Sequence, residues 1–212
     1  SIMLYSNKKL LIDDIAVDRI AKKFGTPTYC YSYNQIKTNI LNFQRNFDKI
    51  NPLICFAVKA NNNIKILSEI AKLGLGADVV SKGELMLALK SKIHPRKIVF
   101  SGVGKTFEEI EYAAKKKILL INAESESEIK AILKAARKTK KRIDIGIRLN
   151  PNVDAETIKQ ITTGKNSNKF GLVEKEVLKL IKNYKNSKHI TLDIKMVADE
   201  IGHSSAVMTE KY

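Results

Sequence analysis

Lys59 is the residue of this sequence best placed to act as a nucleophilic amine. It ends the apolar segment 54–58 (ICFAV) and is followed by polar residues, 61–63 (NNN). An amine between apolar side chains is partly desolvated, and desolvation disfavours its charged ammonium form. The neutral amine can then form an imine with a carbonyl compound. The alternative is a strand-end lysine that points into water, and position alone favours that alternative.

An acid and an arginine occupy comparable positions further along the chain. Asp78 follows the glycine-rich stretch 74–77 (GLGA), and Arg148 lies near the end of the apolar segment 143–149. With Lys59 they form a candidate set of polar side chains at strand ends, where barrel enzymes place their active sites. For Arg148, an ion pair at the mouth of the fold is an equally good interpretation.

Two other patterns do not support a site. The stretch 102–106 (GVGKT) is similar to part of a phosphate-binding loop, but that motif requires glycine where this chain has Val99. His94, His189 and His203 are far apart and have no Cys or carboxylate at ligand spacing, so the sequence predicts no metal site.

The elements that would position these residues alternate regularly. Apolar, β-branched segments, each followed by a stretch of helical periodicity, occupy residues 53–58, 77–80, 98–101, 118–122 and 143–149, with a sixth candidate at 189–194. Capping-box patterns mark helix starts at Ser81/Glu84, Thr106/Glu109 and Ser125/Glu128, and Ser32/Gln35 marks a helix ahead of the first of these strands. This alternation of strand, short turn and capped helix predicts a parallel α/β sheet.

The arrangement of the units favours a (β/α)₈ barrel. The dinucleotide-binding fingerprint expected after the first strand of a doubly wound fold is absent after Val58. The chain has room for about five to six of the eight βα units, since complete barrels need about 250 residues. The sequence therefore predicts either an open sheet or an incomplete barrel, whose bare edges would favour pairing with another chain or poor solubility.

The composition indicates one ordinary globular domain or part of a larger protein. The 212 residues are 44% hydrophobic and 28% charged, which excludes a disordered tract, a collagen-like chain and a disulfide scaffold. The net charge is +16, but only six of the 38 basic residues are arginines, the side chain that base and phosphate recognition favours. A solvated lysine-rich surface is therefore the favoured interpretation, and nucleic-acid binding is the alternative.

The sequence predicts a cytoplasmic protein. No apolar run is long enough to span a bilayer, and the N-terminus lacks the features of a signal peptide. Cys30 and Cys55 both occur in apolar, strand-like stretches, and we expect two reduced, buried thiols.

Several motifs in order give the chain a family resemblance. The matching stretches are GTPTY at 25–29, FAVKAN at 56–61, GADVVSKGEL at 76–85, NAESESE at 122–128, RLNP at 148–151, TTG at 162–164 and KFG at 169–171. Residues from about 5 to 192 resemble the N-terminal part of the diaminopimelate decarboxylase family, alanine racemase-like barrel enzymes that depend on pyridoxal phosphate (PLP). One departure is Ile158, where the family pattern has His.

Residues 151–171 form a long polar segment of the kind that often carries function.

The resemblance implies a fold, a cofactor and a reaction. It implies that Lys59 is the Schiff-base lysine and that Asp78 and Arg148 line the PLP site. The reaction would convert meso-diaminopimelate to L-lysine and CO₂, with PLP accepting the electrons left on Cα. The family works as a homodimer with shared active sites, and the sequence leaves open whether these residues pair.

The family pattern ends near Asp193. The histidine-rich motif, glycine-rich phosphate loop, acid at the pyridine nitrogen, catalytic cysteine and C-terminal β-domain have no counterpart in these residues, so we expect a truncated, inactive decarboxylase or a PLP-binding fragment. Residues 1–193 would be the partial barrel, and 194–212 a separate helical tail. The spacing of His203 and Tyr212 resembles the end of a tyrosine recombinase, but the other residues of that site are missing, so no recombinase activity is expected.

Overall fold

The computed structural model describes residues 3–6, 8–47, 50, 52–150 and 171–192. Contacts divide the chain into two compact units, Ser1–Asn51 and Pro52–Tyr212, each considered by itself below. The predicted tail, 194–212, and most of the predicted loop, 151–170, lie outside the described residues.

The first unit contains a small antiparallel sheet and two helices. The strands β1 (Met3–Ser6), β2 (Lys9–Ile12) and β3 (Ile15–Ala16) pair in that order, and α1 (Val17–Phe24) and α2 (Tyr33–Arg45) follow. The Ser32 side chain accepts a hydrogen bond from the Gln35 backbone N–H at 3.0 Å, so the predicted helix start is confirmed. The three short strands were not predicted from the sequence.

The expectation for Cys30 was wrong. Cys30 is exposed and lies in an irregular segment between α1 and α2. The segment looked like a buried strand because it is rich in aromatic residues, but Tyr29 and Tyr31 are themselves 93% and 60% exposed. Cys55, in contrast, is buried as expected.

The second unit alternates strands with helices. Its elements are β4 (Cys55–Ala57), a 3₁₀ helix (Val58–Ala60), α3 (Ile64–Lys72), β5 (Gly76–Val79), α4 (Lys82–Lys90), a second 3₁₀ helix (Pro95–Lys97), β6 (Ile98–Phe100), α5 (Phe107–Lys116), β7 (Leu120–Ala123), α6 (Glu126–Thr139), β8 (Ile143–Ile147), α7 (Glu174–Tyr184) and β9 (Ile190–Leu192). All six predicted strands are present, with bounds that differ by a few residues, although 193 and 194 lie outside the described part.

The six strands form one parallel sheet in sequence order, from β4 to β9. A doubly wound sheet reverses its strand order at a switch point, whereas a barrel wall adds each strand beside the one before it. The parallel α/β prediction is confirmed, and the strand order is that of a barrel wall.

The register separates the sheet into two faces. Val79, Phe100, Ile121 and Ile145 are neighbours across four strands, and none of them is exposed to solvent. The opposite face carries Ala57, Asp78, Val99 and Leu120 in another row, and Asn122 lies two residues beyond Leu120. This second face combines an apolar cluster with polar side chains towards the carboxyl ends of the strands, which is where a site could form.

Hydroxyl caps start three helices of this unit as predicted, with one correction. Thr106 and Glu109 form the reciprocal capping box at the start of α5. Ser81 and Ser125 also accept the expected backbone hydrogen bond. However, Glu84 and Glu128 accept from the backbone N–H of the residue before the cap, Val80 at 2.9 Å and Glu124 at 2.7 Å. These two glutamates therefore bind the end of the preceding strand to the helix.

Among the described residues, no helix combines the length and apolarity that crossing a bilayer requires.

Candidate active site

Lys59 lies at the carboxyl end of β4, in the 3₁₀ helix that follows the strand. Its backbone is fixed by a buried neighbour, Val58, and by the Asn61 N–H, which donates to the Val58 carbonyl at 3.1 Å. The Asn63 side chain accepts from the Lys65 N–H at 2.9 Å and thereby starts α3. The asparagine run thus shapes a turn and a helix cap beside the lysine.

Lys59 is exposed, so the interpretation of a partly desolvated amine is wrong. The 3₁₀ turn ends the strand before Lys59, so the apolar residues of the strand do not enclose the amine. The structure therefore agrees with the alternative of a lysine that points into water, at a position that a ligand can reach.

Asp78 is buried in β5, directly beside the strand that leads to Lys59. It pairs in register with Ala57, two residues before the lysine, and only 5% of it is exposed. Burial and the nearby Asp78 carboxylate raise the pKa of the Cys55 thiol to about 12. Lys59 and Asp78 are thus brought to adjacent strands at one end of the sheet, as predicted.

Arg148 follows β8 at the same end of the sheet and forms an ion pair. Its Nη1 donates to Oε1 of Glu124 at 3.0 Å, and Glu124 is buried directly after β7. The ion-pair interpretation that the sequence left open is therefore present. Three strands separate β8 from β4, so Arg148 is not a direct neighbour of Lys59 along the sheet.

The residues at the end of the predicted long loop form hydrogen bonds with the backbone at Arg148 and Asn150. The Leu172 N–H donates to the Arg148 carbonyl at 2.8 Å, and the Asn150 N–H donates to the Leu172 carbonyl at 2.8 Å. Gly171 has a φ of +99°, and a Cβ there would lie 2.9 Å from the Arg148 carbonyl oxygen. Glycine is therefore required, since it permits both the backbone angle and the close approach. The motif residues 162–164, 169 and 170, and Ile158, lie outside the described part.

A buried ion pair behind Glu124 was missed in the sequence. Lys105 Nζ lies 2.7 Å from Oε1 of Glu128, and it also donates to the carbonyls of Gly102 and Asn122, both at 2.6 Å. The exposed fractions of the two charged side chains are 1% and 8%. The other oxygen of Glu128 accepts from the Glu124 N–H, so this ion pair fixes the backbone that carries the partner of Arg148.

No spacing signal links Lys105 to Glu128 in the sequence, because the two residues follow different strands. The stretch 102–106 was considered only as a phosphate-binding loop and was excluded for good reason. Its lysine binds the carboxylate of Glu128 instead.

Asn122 and Ser101 complete the polar edge. The Asn122 amide donates to Ser101 Oγ at 3.0 Å. A Cβ at Gly146 would lie 2.5 Å from Asn122 Oδ1, so the glycine makes room for this side chain on the neighbouring strand. The carboxyl edge of the sheet therefore carries two lysines, three carboxylates, an arginine, an amide and a hydroxyl.

Comparison with known proteins shows which family the chain belongs to. The family described as "Pyridoxal-dependent decarboxylase, pyridoxal binding domain" matches residues 33–196. The diaminopimelate decarboxylase of Helicobacter pylori strain J99 is 48% identical over 163 residues, which are 77% of this chain and 40% of the relative. That of Zymomonas mobilis is 41% identical over 199 residues, 92% of this chain and 47% of the relative.

Solved structures share the fold. H. pylori diaminopimelate decarboxylase in complex with L-lysine has a TM-score of 0.77 at 44% identity, covering 85% of this chain and 45% of that one. The M. jannaschii enzyme, also with L-lysine, has a TM-score of 0.81 at 34% identity, covering 93% and 48%. The chain thus spans less than half of the relatives it matches, and the barrel class predicted from the sequence is confirmed. By its sequence match and its fold, the chain belongs to the pyridoxal-dependent decarboxylases and carries their pyridoxal-binding domain.

Proposed function

We propose that the chain binds PLP through Lys59 and provides the lysine-bearing part of a diaminopimelate decarboxylase active site. The observation that carries the proposal is the position of Lys59, exposed at the carboxyl end of β4 beside the buried carboxylate of Asp78. Family membership implies the cofactor. The identities of 41% to 48% with diaminopimelate decarboxylases support the choice of reaction.

The described residues fit such a cofactor. An accessible primary amine is the group that reacts with the aldehyde of PLP, and Lys59 supplies one. Glu124 has one oxygen bound to Arg148, while its other oxygen is buried without a hydrogen-bond partner among the described residues. A buried acceptor of this kind is costly unless a donor meets it, so it supports a polar ligand at this edge.

The residues at this edge would have different roles in binding the cofactor and in the reaction. Bound PLP supplies the electron sink for the pair left on Cα when CO₂ departs. Lys59 holds the cofactor covalently, and its amine can move a proton at the reacting carbon. Asp78 presents a buried carboxylate as an acceptor. Arg148 presents a cation whose direction is fixed by Glu124, and the Lys105–Glu128 pair holds Glu124 in place.

The proposed substrate is meso-diaminopimelate and the proposed product is L-lysine. Two of the solved relatives are described as complexes with L-lysine, which supports an amino acid with two amino groups as the ligand. We expect these 212 residues alone to bind the cofactor with little or no turnover, since they span less than half of the relatives.

The test combines a PLP titration, followed by absorbance, with a CO₂-release assay on meso-diaminopimelate. Saturable spectral change at micromolar PLP, lost in Lys59→Ala and kept in Lys65→Ala, is the expected result. Lys65 is a matched control because it is an exposed lysine in the next helix. An unchanged titration in Lys59→Ala would refute the site. CO₂ release that depends on Lys59 would refute the expected lack of turnover and support the reaction.

We propose further that residues 194–212 form a segment separate from the decarboxylase domain. The family match ends at residue 196, which supports a boundary near there. The likeness of His203 and Tyr212 to a recombinase end carries no proposed activity. Salt-sensitive DNA binding that disappears when 194–212 are removed would instead support the DNA-interacting alternative. The homodimer and the cytoplasmic location stay predictions.

A further inference from the structure

A concave site lies at the opposite end of the strands from Lys59. A cavity of about 300 Å³ opens between the C-terminal end of α5 and the segment that precedes β8. Its apolar wall consists of alanines of α5 and isoleucines of, or adjoining, β7 and β8. Its polar lining consists of four cations, Arg96, Lys117, Lys141 and Arg142. Mostly apolar walls with a few convergent polar groups are typical of small-molecule sites.

Three of these four cations have no counter-charge among the residues that the structure describes. Arg96 Nη2 lies 3.1 Å from Oδ2 of Asp144, and Arg96 Nη1 donates to the Ile118 carbonyl at 3.0 Å. Within the described ranges, the side chains of Lys117, Lys141 and Arg142 make no ion pair or hydrogen bond, and no carboxylate lines the cavity. The cavity therefore has a local excess of positive charge that neighbouring side chains do not neutralise.

The cations are not needed as hydrogen-bond donors to the last backbone carbonyls of the helices. Lysines often bind the last carbonyls of a helix, and α5 and α6 both end near this cavity. Here backbone N–H groups do so: those of Lys117 and Ile118 donate to Ala114 and Ala113, and those of Lys140 and Lys141 donate to Arg137 and Ala136. The free amine and guanidinium groups at the cavity are therefore available to a ligand.

We propose that this basic cavity binds a small organic anion, with its phosphate or carboxylate held by Lys141 and Arg142 and its apolar body against the alanines and isoleucines. An arginine fork suits either anionic group, whereas the isoleucine wall would contribute nothing to an inorganic ion. The site is separate from the candidate PLP site, because it lies at the amino ends of the strands. It does not depend on the proposed decarboxylase function.

The test is calorimetric titration of the full chain, at low ionic strength, with phenyl phosphate, benzoate, inorganic phosphate and phenol. The cavity variant is Lys141→Gln/Arg142→Gln. The matched control is Lys90→Gln/Lys182→Gln, which removes two exposed cations from the last turns of α4 and α7. Circular dichroism checks that both variants are folded.

We expect saturable binding of phenyl phosphate or benzoate, weakened about tenfold or more in the cavity variant and less than about twofold in the control, as loss of charge-assisted hydrogen bonds requires. Weaker binding of inorganic phosphate and no binding of phenol would support the two-part ligand. Absence of saturable binding, or equal weakening in both variants, would overturn the site. Equal affinity for inorganic and phenyl phosphate would overturn the apolar contribution.

Discussion

Arg148 Nη1 and Glu124 Oε1 lie 3.0 Å apart and join the end of β8 to the end of β7. The exposed fractions of the two side chains are 22% and 5%, so the guanidinium is directed by a buried carboxylate. The direction of the cation is set by the protein before any ligand arrives. Such prior positioning lowers the cost of ordering side chains on binding.

The coupling between these two residues is measurable. In a double-mutant cycle of Glu124→Gln and Arg148→Met, we expect a coupling free energy of about 1–2 kcal/mol, because one partner is buried. Urea unfolding of the four proteins measures it. The exposed pair Glu126–Lys130 serves as control, with an expected coupling of about 0.5 kcal/mol or less. Equal coupling in the two pairs would contradict a special role for the buried carboxylate.

Lys105→Met should be among the most damaging single changes in the second unit. It leaves the Glu128 carboxylate buried without its cation, which costs about 3–5 kcal/mol. The double variant Lys105→Met/Glu128→Leu should lose less stability than Lys105→Met alone, because the unpaired charge is gone. The exposed Lys72, which pairs with Glu69, is the control, and Lys72→Met should cost less than about 1 kcal/mol. Similar losses for Lys105→Met and Lys72→Met would show that the buried pair is not structural.

Gly171→Ala should cost more than its backbone angle alone explains. The new Cβ would meet the Arg148 carbonyl oxygen at 2.9 Å and thus displace the bridge that holds the end of the long loop. Gly74→Ala is the matched control, since Gly74 has a φ of +83° and nothing lies within 4 Å of its added Cβ. We expect a loss of about 1 kcal/mol for the control and a larger loss for Gly171→Ala. Unfolding midpoints decide between them, and equal losses would refute the steric argument.

The two cysteines should differ in reactivity. Burial and the Asp78 charge raise the pKa of Cys55 to about 12, whereas Cys30 is exposed. At pH 8 one thiol per folded chain should react with a disulfide reagent, at Cys30, and the second only after unfolding. Peptide mapping assigns the modified residue, and rapid labelling of Cys55 in the folded chain would contradict this assignment.

Because the pKa of Cys55 is raised, we expect the free energy of unfolding to fall at alkaline pH. In the unfolded chain Cys55 ionises near its ordinary pKa, but in the folded chain it stays protonated up to about pH 12. Its contribution is therefore fully present below the ordinary pKa and is lost as the pH rises towards 12. Cys55→Ala should remove this component, so its stability relative to the parent should improve steadily above about pH 9. A constant difference across that range would rule out the linkage.

The periodicity of the sequence was enough to predict the parallel sheet and its helix starts. Strand-forming segments are short and apolar on both faces, and hydroxyl caps lie at fixed distances from their glutamates, so both signals are local. The position of Lys59 at a strand end already favoured an exposed side chain, but no residue pattern marked the 3₁₀ turn that follows the strand. The prediction for Cys30 was wrong because its aromatic neighbours Tyr29 and Tyr31 are residues typical of a buried strand, although both are exposed here.

The network behind Arg148 shows where local patterns fail. Glu124 and Arg148 directly follow two neighbouring strands, β7 and β8, and Lys105 reaches Glu128 from the loop after β6. Their association depends on the order of strands in the sheet. The sequence could therefore place each residue at a strand end, but not decide which charges meet.

The measurement that tests the account most directly is reductive labelling of the chain with PLP and borohydride, followed by mass-spectrometric mapping. The account predicts near-stoichiometric pyridoxyl label confined to Lys59, despite the many other exposed lysines, and loss of that label in Lys59→Arg but not in Lys65→Arg. Label distributed over the surface lysines, or no label at Lys59, would contradict the proposal that this strand end binds the cofactor.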